Sequence, residues 1–242
     1  MILTIDIGNT KVKWGIFENK QIIYSIILDE TDNITKKILS IKKYNLNAVI
    51  ISSVVPELTP IYKNVIEKEL NIAPLIVNYI NSKLILEVDE PDTVGADRLC
   101  NIKAAIKLYS TPAIIIDFGT ATTFDVINLK NKFVGGIISP GVETSAQYLI
   151  NKAALLDKTD FKFPKKIIGK NTKTNIQSGI MFGAIDQIEG LVNRVNQETK
   201  TKNNIILTGG FSKLLAPHFS FNHTLDIDLT LKGMIYINES NS

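Results

Sequence analysis

The chain has 242 residues, 45% of them hydrophobic, which is enough for one large domain or two modest ones with proper cores. Its 27 basic and 24 acidic residues leave a net charge of only +3, so charge gives no reason to propose nucleic acid or an acidic membrane surface as a partner. A single cysteine, Cys100, excludes an intrachain disulfide and fits a reducing cytoplasm; the residue reads as a small buried group on a helix. Neither His218 nor His223 has the cysteine company of a zinc site, and no apolar run is long enough to span a bilayer.

In chain order, Met1–Ile7 reads as a strand and Lys11–Phe17 as a second, with Val12, Trp14 and Ile16 on one face. Glu18-Asn19-Lys20 forms a turn into a third strand, Gln21–Leu28. Thr31–Lys43 has helical spacing through Ile34, Ile38 and Ile41. A buried strand (Asn47–Ser52), a helix (Pro56–Leu70) and a short strand (Pro74–Val77) follow, and Leu99–Leu108 is an apolar helical stretch. After Thr111-Pro112 the sequence starts again. Strands are expected at Ala113–Asp117, Thr122–Asn128, Lys132–Ser139 and Asn204–Leu207. Helices are expected at Gly141–Asn151, Asn175–Glu198, Ser212–Leu215 and Leu229–Ile237. The Lys-, Thr- and Asp-rich stretch Asp157–Lys173 reads as an excursion at the edge of the second domain.

Three strands followed by helix–strand alternation thus occur twice. The same acidic glycine turn opens both copies: Ile5-Asp6-Ile7-Gly8-Asn9-Thr10 and Ile116-Asp117-Phe118-Gly119-Thr120-Ala121. The two aspartates lie 111 residues apart, and Asn19-Lys20 and Asn131-Lys132 close corresponding hairpins. The expected architecture is a tandem of mixed α/β domains, residues 1–111 and 112–242, with a nucleotide cleft between them.

The chemistry at these turns points to phosphate. Asp at a strand end can hold a cation or its waters, Gly lets backbone N–H groups come close to an anion, and Thr hydroxyls can bond its oxygens. Gly8-Asn9-Thr10-Lys11 adds a cationic side chain, although the same residues also suit an ordinary hairpin turn. The P-loop and dinucleotide fingerprints are absent from the sequence. Gly95-Ala96-Asp97-Arg98 precedes the Leu99–Leu108 stretch. Asp97 serves there either as a helix-start partner or, in a kinase, as the carboxylate that takes or orients the acceptor proton. Arg98 can hold a substrate carboxylate with its planar fork. Gly135-Gly136 to Gly141-Val142 leads from a strand into a helix and offers backbone N–H groups to an anion, while Thr208-Gly209-Gly210 leaves room for a flat adenine and its ribose.

Together these blocks resemble the type III pantothenate kinases of the acetate and sugar kinase/Hsp70/actin superfamily. The matching segments are Asp6–Thr10, Val94–Arg98, Asp117–Asp125, Gly136–Gly141, Gly169–Thr172, Gln177–Gly179 and Thr208–Gly210, in order along the whole chain. The resemblance implies two ribonuclease-H-like (actin-like ATPase) domains, a homodimer, and ATP-dependent phosphorylation of pantothenate as the first step of coenzyme A synthesis. It implies Mg²⁺ with ATP and a monovalent cation, K⁺ or NH₄⁺. By motif position, Asp6, Ile7, Gly8, Asn9, Thr10, Lys11, Val12 and Lys13 form the main phosphate-binding loop, Asp117 binds the monovalent cation and Thr120 contacts ATP. Gly95, Ala96, Asp97 and Arg98 line the pantothenate site, with Asp97 as proton acceptor, and Thr172 reaches pantothenate from the neighbouring subunit. One position departs from the pattern. The family usually has a tyrosine three residues before the proline that precedes Gly-Ala-Asp-Arg; here that proline is Pro91 and Val88 takes the tyrosine position. This departure keeps open a rival kinase of the same superfamily acting on a sugar or another hydroxy acid. A non-catalytic nucleotide-binding regulator is the rival from a different class.

Overall fold

The structure is a computed structural model that describes residues 1–29, 33–152 and 160–241. Residues 31–32 of the first expected helix and 157–159 of the expected excursion lie outside the described residues.

Two five-stranded sheets form the frame. The first contains β1 (Ile2–Ile7), β2 (Val12–Glu18), β3 (Gln21–Leu28), β4 (Ala48–Ser53) and β5 (Leu75–Ile76), in the order β3-β2-β1-β4-β5. The hairpin strands β1, β2 and β3 pair antiparallel, while β4 runs parallel to β1 and β5 parallel to β4. The second contains β6 (Ala113–Phe118), β7 (Ala121–Ile127), β8 (Phe133–Pro140), β9 (Asn204–Thr208) and β10 (Thr224–Leu225), in the order β10-β9-β6-β7-β8. With β6 matched to β1 and β9 to β4, the two orders are the same, as a duplicated ribonuclease-H-like unit requires.

Two compact units partition the chain. The first comprises residues 1–110, 131–134 and 228–242, and the second 111–130 and 135–227. The change from the first unit to the second falls between Ser110 and Thr111. The last helix, α7 (Leu229–Glu239), differs from the sequence expectation by counting with the first unit rather than the second.

Alternation along β1 explains how the first unit is layered. Leu3, Ile5 and Ile7 enter a core with Ile38 and Ile41 of α1 (Ile34–Ile41) and Tyr62 and Ile66 of α2 (Leu58–Leu70). Ile2, Phe17 and Ile50 belong to a second core, with Leu99 and Cys100 of α3 (Ala96–Leu108) and Leu231, Met234 and Ile235 of α7. Helices therefore cover both faces of this sheet, and the even-numbered positions of β1, Asp6 included, face α3 and α7. The β2–β3 turn is a two-residue one, with Asn19 and Lys20 at φ 48° and 65°, the left-handed geometry that matches strand twist.

In the second unit, Ile114, Ile116 and Phe118 of β6 pack against α4 (Val142–Lys152), α5 (Thr172–Thr199) and α6 (Ser212–Leu215). α5 begins at Thr172, three residues before the expected Asn175. The Asn171 side chain accepts the Thr174 N–H and the Thr174 hydroxyl returns to the Asn171 backbone, so a capping box starts the helix early. The described part of the expected excursion, residues 160–171, has no regular element before that cap.

Candidate active site

In the first unit the Asp6 turn is a tight corner. The Gly8 N–H donates to the Lys11 carbonyl at 3.1 Å, and a Cβ on Gly8 would lie only 3.2 Å from that same oxygen. Asp6 stands level with Ser52 on β4 and with Lys13 on β2. Residues level across neighbouring strands share a face. A row of hydroxyl, carboxylate and ammonium therefore crosses the end of the sheet on the side of α3 and α7. Ser52, fully buried, donates from Oγ to Asp6 Oδ1 at 2.9 Å. Lys13 Nζ lies 2.8 Å from Asp228 Oδ1, with side chains only 25% and 28% exposed. Lys11 pairs with Asp29 in an exposed contact, of the kind that contributes little. Asn9 and Thr10 are exposed, and Val12 is buried in the core.

Helix α3 brings the second carboxylate to the same face. Gly95 is its N-cap, and Asp97 sits in its first turn, half-buried. The Arg98 N–H donates to Asp97 Oδ1 at 2.7 Å. A Cβ on Gly95 would meet Asp97 Oδ1 at 2.6 Å, so the glycine makes the room in which the carboxylate lies. Burial pushes the Asp97 carboxyl above its ordinary value, against the lowering effect of Arg98. The Arg98 guanidinium lies 5.5 Å from the centre of the Phe133 ring. Cys100, one turn further along α3, is fully buried; burial pushes its thiol up strongly, and the charges of Asp6 and Asp97 add to the effect. Val88, where the family tyrosine is expected, is half-buried and supplies no hydroxyl.

The second unit repeats the row with different chemistry. Asp117 stands level with Thr123 on β7 and with Thr208 on β9, so hydroxyls flank it on both sides where Asp6 has a lysine on one. Gly209 has φ +89°, and a Cβ there would lie 2.4 Å from Asp117 Oδ1. The turn after Asp117 is braced by the start of α4. The Thr120 carbonyl accepts the Gly141 N–H at 3.0 Å and the Thr144 hydroxyl at 2.7 Å, and a Cβ on Gly141 would lie 2.3 Å from the Gly119 oxygen. Gly141 and Gly209 thus give room to the chain itself. Thr120 is exposed at the tip of the turn, and Thr172 is exposed at the start of α5. A cavity of about 170 Å³, lined by Phe118, Val142, Ser145, Gly183 and Gln187, lies on the α4–α5 face of the sheet, opposite the face that carries Asp117. Among the described residues no group of three or more His, Cys, Asp or Glu side chains is placed to hold a metal ion, and no helix is long and apolar enough to cross a membrane.

Ser52, Thr144 and Asp228 escaped the sequence reading. Ser52 ends a buried apolar run just as Thr208 does, a signal the duplication makes readable. Asp228 is joined to Lys13 only by the fold.

Comparison with known proteins agrees with this architecture. The family model described as type III pantothenate kinase matches residues 2–194. A curated type III pantothenate kinase of Bacillus cytotoxicus is 37% identical, covering 100% of this chain and 97% of the relative. Among solved structures, a protein from Campylobacter jejuni described as a Baf family transcriptional activator aligns with a TM-score of 0.65 at 19% identity, over 99% of this chain and 98% of the other. The activator of 2-hydroxyisocaproyl-CoA dehydratase from Clostridium difficile, solved with bound ADPNP, aligns with a TM-score of 0.56 at 11% identity, over 99% and 95%. At those identities the two structures speak for the fold alone.

Proposed function

The chain belongs to the type III pantothenate kinase family, and on that premise we propose that it transfers the γ-phosphoryl group of ATP to the primary hydroxyl of pantothenate, the first step of coenzyme A synthesis. One observation supports the reading above the others. The Asp6 carboxylate lies on the sheet face covered by α3, whose first turn carries Asp97, and the charges of both raise the Cys100 thiol, so a phosphate-binding corner and a proton acceptor share one neighbourhood.

In this mechanism the turn Asp6–Lys13 receives the phosphates through its backbone N–H groups, with Lys13 contributing positive charge. Asp97 accepts the proton of the acceptor hydroxyl as the O–P bond forms, and its raised pKa suits a group that must take up a proton near neutral pH. Arg98 orients the pantothenate carboxylate, and Gly95 and Ala96 line that pocket. Thr120 contacts ATP, and Thr172 reaches the pantothenate of the neighbouring subunit in a homodimer. Alignment and electrostatics supply most of the rate enhancement.

Mg²⁺ bound with ATP offsets the charge on the phosphates. A monovalent cation, K⁺ or NH₄⁺, fits Asp117, because that carboxylate stands level with two threonines, whose hydroxyls offer oxygen ligands, where Asp6 has a lysine on one side. The cytoplasm is the compartment in which this chemistry and a lone reduced cysteine belong.

The test is an assay of the purified protein with ATP and pantothenate, with and without K⁺. Formation of phosphopantothenate that rises with K⁺ is the expected result. No phosphoryl transfer to pantothenate, with transfer to another alcohol in a substrate screen, overturns the substrate assignment.

A further inference from the structure

Ser52 lies outside every sequence motif described above, yet it holds the carboxylate of the phosphate turn. It is fully buried, level with Asp6 on the neighbouring strand, and its hydroxyl proton goes to Asp6 Oδ1 at 2.9 Å. Cys100 is fully buried in the same core as Ile50, two residues before Ser52 on that strand. It follows Asp97 by three residues on α3, one helical turn.

We propose that Ser52 is a positioning residue for nucleotide binding: it fixes the rotation of the Asp6 carboxylate at the phosphate turn. The inference rests on the role given above to the Asp6–Lys13 turn. A carboxylate beside a polyphosphate helps only in one orientation. Turned toward the cation or its waters it adds to binding; turned toward phosphate oxygens it repels them. The Asp6 carboxylate turns about its Cβ–Cγ bond, and the hydroxyl of Ser52 holds one of its oxygens. The second unit carries the same arrangement of types, with buried Thr208 level with Asp117, so a hydroxyl at this register accompanies both aspartates.

The experiment compares the wild type with Ser52→Ala and Ser52→Thr. It reads Mg-nucleotide affinity by calorimetry, the KM values for ATP and for pantothenate, and the thermal midpoint. Ser52→Ala is expected to weaken Mg-nucleotide binding about tenfold, raising KM for ATP while KM for pantothenate stays within about twofold. Ser52→Thr, which keeps the hydroxyl, is expected to restore nucleotide affinity. Unchanged nucleotide affinity in Ser52→Ala overturns the inference, as does a lowered midpoint with no split between the two KM values. Calorimetry reads nucleotide alone, so it decides the role of Ser52 even if pantothenate proves to be the wrong acceptor. Failure of the wild type to phosphorylate pantothenate bears on the acceptor only.

Discussion

Gly233 on α7 lies directly against the backbone of Cys100 on α3: a Cβ at position 233 would be 1.9 Å from the Cys100 carbonyl oxygen and 2.4 Å from its carbonyl carbon. Backbone cannot yield as a flexible side chain does, so the two helices touch at this point only because residue 233 has no side chain. Gly233→Ala must push α7 off α3 and is expected to destabilise the protein by about 3 kcal/mol or more. That corresponds to a fall in thermal midpoint of roughly 6–12 °C for a chain of this size. Calorimetric or circular-dichroism melting checks it, and an unchanged midpoint contradicts the close crossing.

Gly95→Ala tests the seat of the proton acceptor. The added Cβ would overlap Asp97 Oδ1, a side-chain atom that can swing away, so the fold should survive while the carboxylate is displaced. Turnover is expected to fall by about 10²-fold, with the midpoint shifted by only a few degrees at most. Steady-state kinetics beside a melting curve separates this outcome from general unfolding.

Asp97→Asn should divide activity from stability. Turnover is expected to drop by roughly 10²–10⁴-fold, the usual worth of a general base. Stability should move the other way. Burial raises the folded-state pKa of Asp97 above its unfolded value, so the ionised carboxylate opposes folding at neutral pH. This penalty is present above the folded pKa and is relieved as pH falls through it. The neutral amide removes it, and the midpoint at pH 7 should rise by about 2 °C. In the wild type, kcat/KM should fall on the acid side as Asp97 takes up a proton, in a limb displaced upward from an ordinary aspartate. A pH–rate profile of the wild type and a melt of the variant check both statements.

Asp117→Asn tests the cation assignment. With an amide in place of the carboxylate between Thr123 and Thr208, activation by K⁺ should disappear and KM for ATP at saturating K⁺ should rise about tenfold. Titration of the variant with K⁺ and NH₄⁺ reads the result. A K⁺ response equal to that of the wild type removes Asp117 from the role.

Much of the scaffold was readable because its signals are local. Gln21–Leu28 and Ser212–Leu215 form the elements expected from their sequences, and other strand ends move by only a residue or so. The Asn19-Lys20 turn shows itself because its residue types tolerate the left-handed conformation that a two-residue hairpin needs. α3 begins at Ala96 rather than at the apolar run from Leu99, because Gly95 caps it from outside the periodic pattern. β10, two residues long, has no periodicity to detect and exists only because β9 offers it an edge. The Ser52–Asp6 bond and the Lys13–Asp228 pair join residues 46 and 215 positions apart. Nothing in either local sequence specifies the other partner. The role of Gly209 was hidden for a related reason: a glycine that admits a ligand and one that admits its own neighbour look alike in sequence.

The placement of α7 has a consequence for biosynthesis. Its residues Leu231, Met234 and Ile235 complete a core whose other members include Phe17, Ile50 and Leu99, yet the ribosome makes them only after the entire second unit. During translation residues 1–110 must therefore wait with this face of their sheet covered by α3 but not by α7, so the first half to be synthesised is the last to become whole. Chaperone binding to the nascent N-terminal portion, lost once residue 239 has emerged, is the expected cellular signature of that delay.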